Sequence, residues 1–278
     1  MRARATALVA LASTALASTV LAGCGSDSGP AADGDGSREL TVLAAASLTG
    51  TFTTLARTFE DDHPGVTVTL AFDSSATLAE QVSQGAPADV LATADELTMQ
   101  RVVDTGATAA DPEVFATNRL ALVVPKDNPA AIAAFADIND PGVDYVVCVD
   151  SAPCGALSQV VLDAQGITND PASEEVDVKA VLSKVELDEA DAGIVYETDA
   201  VAAVASEDAV ASEDAVASGD SGDTVQTIEI PASADALNRY PIAALGEASD
   251  PELAQAWVDL VLSVEGQAVL GEAGFGAP

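Results

Sequence analysis

ELTVLAAASLTGTFTTLARTFEDDHPGVTVTLAFDSSATLAEQVSQG, residues 39–85, runs twice through the same cycle of strand and helix. Glu39 to Ala45 is a short apolar run that predicts a strand. A helix is expected to begin near Ser47, because Leu48, Phe52, Leu55 and Phe59 keep to one face at three- and four-residue spacing. Asp62-His63-Pro64-Gly65 ends it, since a proline removes a backbone donor and clashes with the preceding turn. Val66 to Phe72 alternates as a second strand. Thr77-Leu78-Ala79-Glu80 reads as a capping box that opens a second helix, stopping at Gly85.

The cycle continues downstream. Strands are expected at Pro87–Ala92, Arg119–Pro125, Tyr145–Val149, Ala192–Tyr196 and Thr224–Ile230, with helices over Glu96–Val103 and near 156–165 and 175–187. Asp250-Pro251-Glu252 opens a final helix, with aspartate as the cap and proline in the first turn. Strands alternating with helices imply an α/β fold of mixed, mostly parallel sheets flanked by helices.

Residues 1–23 have the order of a secretory signal. Arg2 and Arg4 precede an Ala-rich apolar stretch from Ala5 to Leu21, and Leu21-Ala22-Gly23 leads into Cys24. A transmembrane helix is the weaker reading, because Ser13, Thr14, Ser18 and Thr19 interrupt a run already short for a bilayer. Leu-Ala-Gly-Cys resembles a bacterial lipobox, which implies lipidation of Cys24 as the mature N-terminus and anchoring to the outer face of the cell membrane. Residues 24–38 contain no large apolar side chain and are expected to serve as a flexible tether.

The 278-residue chain carries 45 acidic and 10 basic residues, for a net charge of −35. Loss of Arg2 and Arg4 with the signal would take this to −37. Nucleic acid and bare anionic membrane surfaces are poor partners for such a surface. Cys148 and Cys154, six apart in an oxidising compartment, favour a disulfide over two free thiols and do not have metal-ligand spacing. Residues 204–221 read VASEDA, VASEDA, VASGDS and are expected to form an acidic solvated loop. A calcium site within Gly219–Asp223 lacks a full ligand loop.

Catalysis is poorly supplied. The single histidine, His63, sits at a helix end before a proline, in an exposed turn position. No nucleophile elbow, no cysteine–histidine pair and no zinc-type cluster is present. What recurs is a strand running into a helix through small or hydroxyl residues: Ala44-Ala45-Ala46-Ser47, Phe72-Asp73-Ser74-Ser75-Ala76-Thr77 and Ala152-Pro153-Cys154-Gly155. Helix N-termini offer unpaired N–H groups and a positive dipole end, and α/β sheets bind ligands at the carboxyl ends of their strands. The pattern predicts a site for a small oxyanion.

The runs AAASL (44–48), SSATL (74–78), GAPADV (85–90), NRLALVVPK (118–126), AGIVYETDA (192–200) and RYPIAAL (239–245) together resemble the molybdate-binding proteins of ABC importers. The resemblance implies two α/β lobes of the type II periplasmic-binding-protein kind, with molybdate or tungstate in the cleft between them. Lobe 1 would comprise 39–120 and 240–278, and lobe 2 would comprise 121–239 with the repeat loop. It further implies that Ser47 and Ser75 give hydroxyl and backbone donors from the first lobe. Cys154, where the family has alanine, and Val178 would give backbone N–H groups from the second lobe, and Tyr196 its phenol. The expected partners are the oxyanion and an importer permease. The protein would act as a monomer, without a cofactor and without enzymatic activity.

Neutral donors suit this task. Several charge-assisted hydrogen bonds, each worth roughly 1.5–3 kcal/mol, replace the hydration of a dianion without buried lysine or arginine. An all-donor site rejects hydrogen phosphate, whose proton would find no acceptor, whereas sulfate differs only in size. The rival readings are a receptor for sulfate or another oxyanion, a hydrolase using Ser47 or Ser75, which would need a base within reach, and a metal-ion receptor, which one histidine and three tyrosines equip poorly.

Overall fold

The computed structural model describes residues 38–205, 224–231 and 236–278, all within one unit spanning Gly36–Pro278. The signal, Cys24, most of the tether, the repeat from residue 206 onward and the candidate calcium segment lie outside the described residues. In chain order the elements are β1 (Arg38–Ala45), α1 (Thr49–Asp62), β2 (Val66–Asp73), α2 (Ser75–Ser83), β3 (Val90–Ala92), α3 (Glu96–Asp104), β4 (Glu113–Asn118) and β5 (Leu120–Pro125). They continue as β6 (Tyr145–Cys148), α4 (Pro153–Gln165), β7 (Ser173–Glu175), α5 (Val178–Glu186), β8 (Ala192–Tyr196), α6 (Glu197–Ala205), β9 (Val225–Ile228), β10 (Asn238–Ala244), α7 (Pro251–Leu262) and α8 (Val264–Glu272). Short 3-10 turns occupy Ala46–Leu48 and Phe135–Asn139.

Two five-stranded sheets result, ordered β2-β1-β3-β10-β4 and β7-β6-β8-β5-β9. The chain passes from the first sheet to the second through Arg119, between β4 and β5, and returns along β9 and β10. Because the returning strands run against the outgoing ones, β10 pairs antiparallel with β3 and β4, and β5 pairs antiparallel with β8 and β9. Among the described residues the β1–β2, β1–β3, β6–β7 and β6–β8 pairings are the parallel ones. The sheets are therefore mixed, as expected, but half parallel rather than mostly so.

Local chemistry accounts for the helix starts. Asp95, Asp177, Asp250 and Ser263 cap α3, α5, α7 and α8, each accepting a hydrogen bond from the N–H three residues on. The apolar face of α1 buries Phe52 and Phe59 edge-on against Trp257 of α7, with centroids 5.6 and 5.5 Å apart, and this cluster closes one side of the first sheet.

Several expected elements differ. Helix α2 begins at Ser75 with Ser74 as its cap position, so Thr77 lies inside the first turn and caps nothing. Helix α4 begins three residues early, at Pro153, because proline suits a first helical turn. The helix expected from 175 starts at Val178, since Asp177 caps it and Ser173–Glu175 pairs instead with β6 as β7. The strand expected at Pro87–Ala92 is reduced to Val90–Ala92. The final helix breaks at Ser263, which ends α7 and caps α8. Strands β4 and β10 and helix α6 were not expected at all.

Candidate functional site

Parallel register brings the strand ends together. Ala45 at the end of β1 lies beside Asp73 at the end of β2, and Ala44 lies beside Ala92. In the second sheet Cys148 lies beside Glu175, and Tyr145 beside Ala192. Helices that follow these strands therefore start at neighbouring points. A small cavity forms there, lined by Ala45, Ala46, Ser47, Asp73, Ser74, Ser75 and Ala94 on one side and by Pro153, Cys154, Asp177, Val178 and Tyr196 on the other. All five residues singled out in the sequence, Ser47, Ser75, Cys154, Val178 and Tyr196, line it. It leaves about 20 Å³ for the centre of a water-sized sphere, room for one small ion.

Four helical N-termini meet at this point. Thr49 N–H bonds Ala46 O, Leu78 N–H bonds Ser74 O, Ala156 N–H bonds Ala152 O and Val181 N–H bonds Asp177 O. The N–H groups of Ser47, Ser75, Cys154 and Val178 precede those first helical bonds, so the helices do not consume them. Positive dipole ends from both sheets thus converge on one small volume, without a lysine or arginine in the lining. Two carboxylates, Asp73 and Asp177, do line it. Asp73 Oδ1 accepts from Ser74 N–H at 2.6 Å and Asp177 Oδ1 from Ala180 N–H at 2.9 Å, so each is engaged by backbone.

The hydroxyl residues Ser47, Ser74, Ser75 and Tyr196 all line the same space. Ser75 Oγ accepts from Ala94 N–H at 2.9 Å. Ser47 Oγ lies 3.0 Å from the Tyr240 hydroxyl. Tyr196 Oη accepts from Asn238 Nδ2 at 2.5 Å. Burial, reinforced by the neighbouring Tyr240, pushes the Tyr196 phenol well above its ordinary range, and burial likewise raises Tyr240. Both phenols therefore keep their protons at any physiological pH.

Cys148 and Cys154 are joined as a disulfide with Cα atoms 5.8 Å apart. The bridge ties the end of β6 to the first turn of α4, which contributes an N–H to the cavity. In the chain-entropy account a loop this short contributes roughly 2–2.5 kcal/mol. Mass measurement of unreduced protein after alkylation should find neither cysteine labelled, and reduction should loosen ligand binding more than it lowers the melting temperature. Two labelled thiols in the native protein would remove the bridge.

His63 is half-buried rather than exposed. It caps the C-terminus of α1, stacks on Phe59 at 4.1 Å and sits at the far end of the helix that Ser47 precedes. Ser47 meets a phenol and Ser75 a backbone amide, neither of them a general base. Among the described residues no cluster of His, Cys, Asp and Glu could hold a metal ion. Sequence reading missed Asp73, Asp177 and the residues behind the hydroxyls. Asp177 was legible as a helix cap. Asn118, Asn238 and Tyr240 carried no local signal.

The chain matches the profile of the bacterial extracellular solute-binding proteins over residues 40–276. It is 39% identical over 261 residues to the molybdate-binding protein ModA of Mycobacterium tuberculosis, covering 93% of each chain. Among solved structures, the periplasmic molybdate-binding protein of Azotobacter vinelandii superposes with a TM-score of 0.69 at 19% identity, over 86% of this chain and 99% of that one. The sulfate-binding protein SubI of Mycobacterium tuberculosis reaches the same TM-score and identity, over 86% of each chain. At such identities these two structures speak for the two-lobed fold alone.

Proposed function

Since the chain belongs to the bacterial extracellular solute-binding proteins, and among them to the molybdate-binding family, we propose that it captures molybdate outside the cytoplasmic membrane and hands it to an ABC importer. The observation that carries this reading is the meeting of four helical N-termini and four hydroxyl residues around a cavity sized for one small ion. Ser47 and Ser75 donate through hydroxyl and backbone, Cys154 and Val178 through backbone N–H, and Tyr196 through its phenol. Tungstate, of the same shape and charge, is bound as well. The protein works as a monomer held by a lipid on Cys24, its lobes dividing near residues 120 and 240, and it performs no catalysis.

A dianion gains here because its charge is met by fixed dipoles that need no reorganisation. Donors favour a fully deprotonated oxyanion over one that still carries a proton, as long as the Asp73 and Asp177 carboxylates stay engaged by backbone N–H groups. Sulfate carries none, so only the size of the cavity turns it away. Calorimetric titration of the soluble body from Arg38 with molybdate, tungstate and sulfate tests the reading. One equivalent of molybdate should bind and resist displacement by a large excess of sulfate. Displacement by sulfate at comparable concentration would make the protein a sulfate receptor instead.

Ser47→Ala and Ser75→Ala should each weaken molybdate binding by roughly 1–3 kcal/mol, because one donor to a buried charge is lost. The melting temperature without ligand should hardly move. Unaltered titration curves for both variants would take these serines out of the site.

A further inference from the structure

We propose that Asn118 and Asn238 are positioning residues that set the direction of the hydroxyl protons in the cavity, so that its hydroxyls present donors to the ligand. The inference rests on reading the cavity as an oxyanion site and names what enforces that chemistry. A hydroxyl both donates and accepts. Left free, Ser47 or Tyr196 could turn a lone pair toward the ligand, and a dianion would then meet repulsion.

Both asparagines are buried, at 3% and 8% exposure, and they face each other across β4 and β10, where the chain crosses between the sheets. Each is followed by an arginine that pairs with a glutamate, Arg119 with Glu197 and Arg239 with Glu96, so the Asn-Arg pair recurs at the two crossings. Their amide orientations are fixed by backbone groups with a single role. Asn238 Nδ2 reaches Pro153 O at 3.3 Å, and a carbonyl only accepts. Asn118 Oδ1 lies 3.0 Å from Arg119 N–H, and an amide N–H only donates.

The consequences propagate to the site. Asn238 must donate to Tyr196 Oη, which occupies a phenol lone pair and leaves Tyr196 to donate its proton, either to the Tyr240 hydroxyl that it also bonds or to the ligand. Asn118 Nδ2 donates to Thr198 Oγ1 at 2.8 Å and, more weakly, to Tyr240 Oη at 3.4 Å. Tyr240 then donates to Ser47 Oγ, and the Ser47 proton points at the ligand. Ser75 needs no such relay, because Ala94 N–H already occupies its acceptor side.

The test is a double-mutant cycle read by molybdate calorimetry on the soluble body. Asn238→Asp replaces the donor with an acceptor, so Tyr196 turns its proton away from the ligand. We expect Asn238→Asp to weaken binding about fiftyfold and Tyr196→Phe about tenfold, with the double variant within about threefold of Tyr196→Phe. A new negative charge or a looser fold would act equally in both backgrounds, so effects that multiply would overturn the proposal. If Asn238→Asp does not fold, Asn118→Asp with Ser47→Ala forms an equivalent cycle through Tyr240, with the same coupling expected. A flat titration of the unaltered protein would sink the proposed function itself. Normal binding with multiplying effects would sink only the role of the asparagines.

Discussion

Gly155→Ala should cost the protein about 3 kcal/mol of stability, at the upper end of ordinary overpacking, and most of its affinity for the oxyanion. A Cβ at residue 155 would lie 2.0 Å from Val149 O, 2.5 Å from Val149 C and 2.6 Å from Cys148 O. All three are backbone atoms, and the Cys148–Cys154 bridge holds that backbone against the first turn of α4. Relief requires the N-terminus of α4 to leave the end of β6, carrying the Cys154 N–H away from the cavity. Losing that charge-assisted bond and its dipole should weaken molybdate binding about a hundredfold. Urea unfolding and calorimetry on the same sample separate the two effects. Gly50→Ala is the control, because nothing lies within 4 Å of its Cβ and the residue is exposed in α1, so stability should not fall. A Gly155→Ala protein that binds normally would mean the first turn of α4 can shift without disturbing the site.

The pair Lys179–Asp199 should respond asymmetrically. Asp199 is 1% exposed, and its only ion-pair partner among the described residues is Lys179, with Nζ 2.7 Å from Oδ1. Lys179 and, more weakly, the Tyr196 backbone are the groups that offset the burial of this carboxylate. Lys179→Met leaves that carboxylate uncompensated and should cost about 3 kcal/mol at pH 7. Asp199→Asn leaves a lysine whose side chain is 37% exposed and can turn to solvent, so it should cost little or even stabilise.

Proton linkage gives the pair a second signature. Burial raises the Asp199 carboxyl above its ordinary value of 3.8, outweighing the attraction of Lys179. A raised value means that the folded state favours the protonated form. The stability this contributes is fully present below pH 3.8 and is lost as pH rises through the folded value. The advantage of Asp199→Asn should therefore appear above that window and vanish below it, and the penalty of Lys179→Met should shrink as the carboxyl takes up a proton. Chemical denaturation of the three proteins across pH 4–7 checks this. Equal losses for both variants at pH 7 would mean that the ion pair is a net source of stability.

Most of what positions the site was legible because it is local. The AAAS and DSS junctions could be located because strand runs, helical spacing and small residues between them are written in consecutive positions. Asp250 announced its helix through capping chemistry that spans three residues. Errors arose where two local signals competed. Thr77 and Glu80 have the spacing of a capping box, but the helix had already begun at Ser75, since Leu78 N–H could bond Ser74 O. Ser173–Glu175 is as compatible with helix as with strand, and only the presence of β6 as a partner decides it.

By itself the sequence determined most of the strands and helices of the first half, where β1, β2 and β6 hand over to helices, and that those handovers carry hydroxyls and free N–H groups rather than cations. The reason is that capping, periodicity and turn chemistry act over a few residues. Only the tertiary structure decided that the four helix starts share one cavity, that β10 lies antiparallel beside β4, and that Asn118 meets Asn238 across 120 residues of chain. It also decided that Tyr240 stands behind Ser47 and that Asp199 is buried beside Lys179. Those partnerships depend on strand register and on which faces the two sheets turn inward, and the packing of the whole fold sets both.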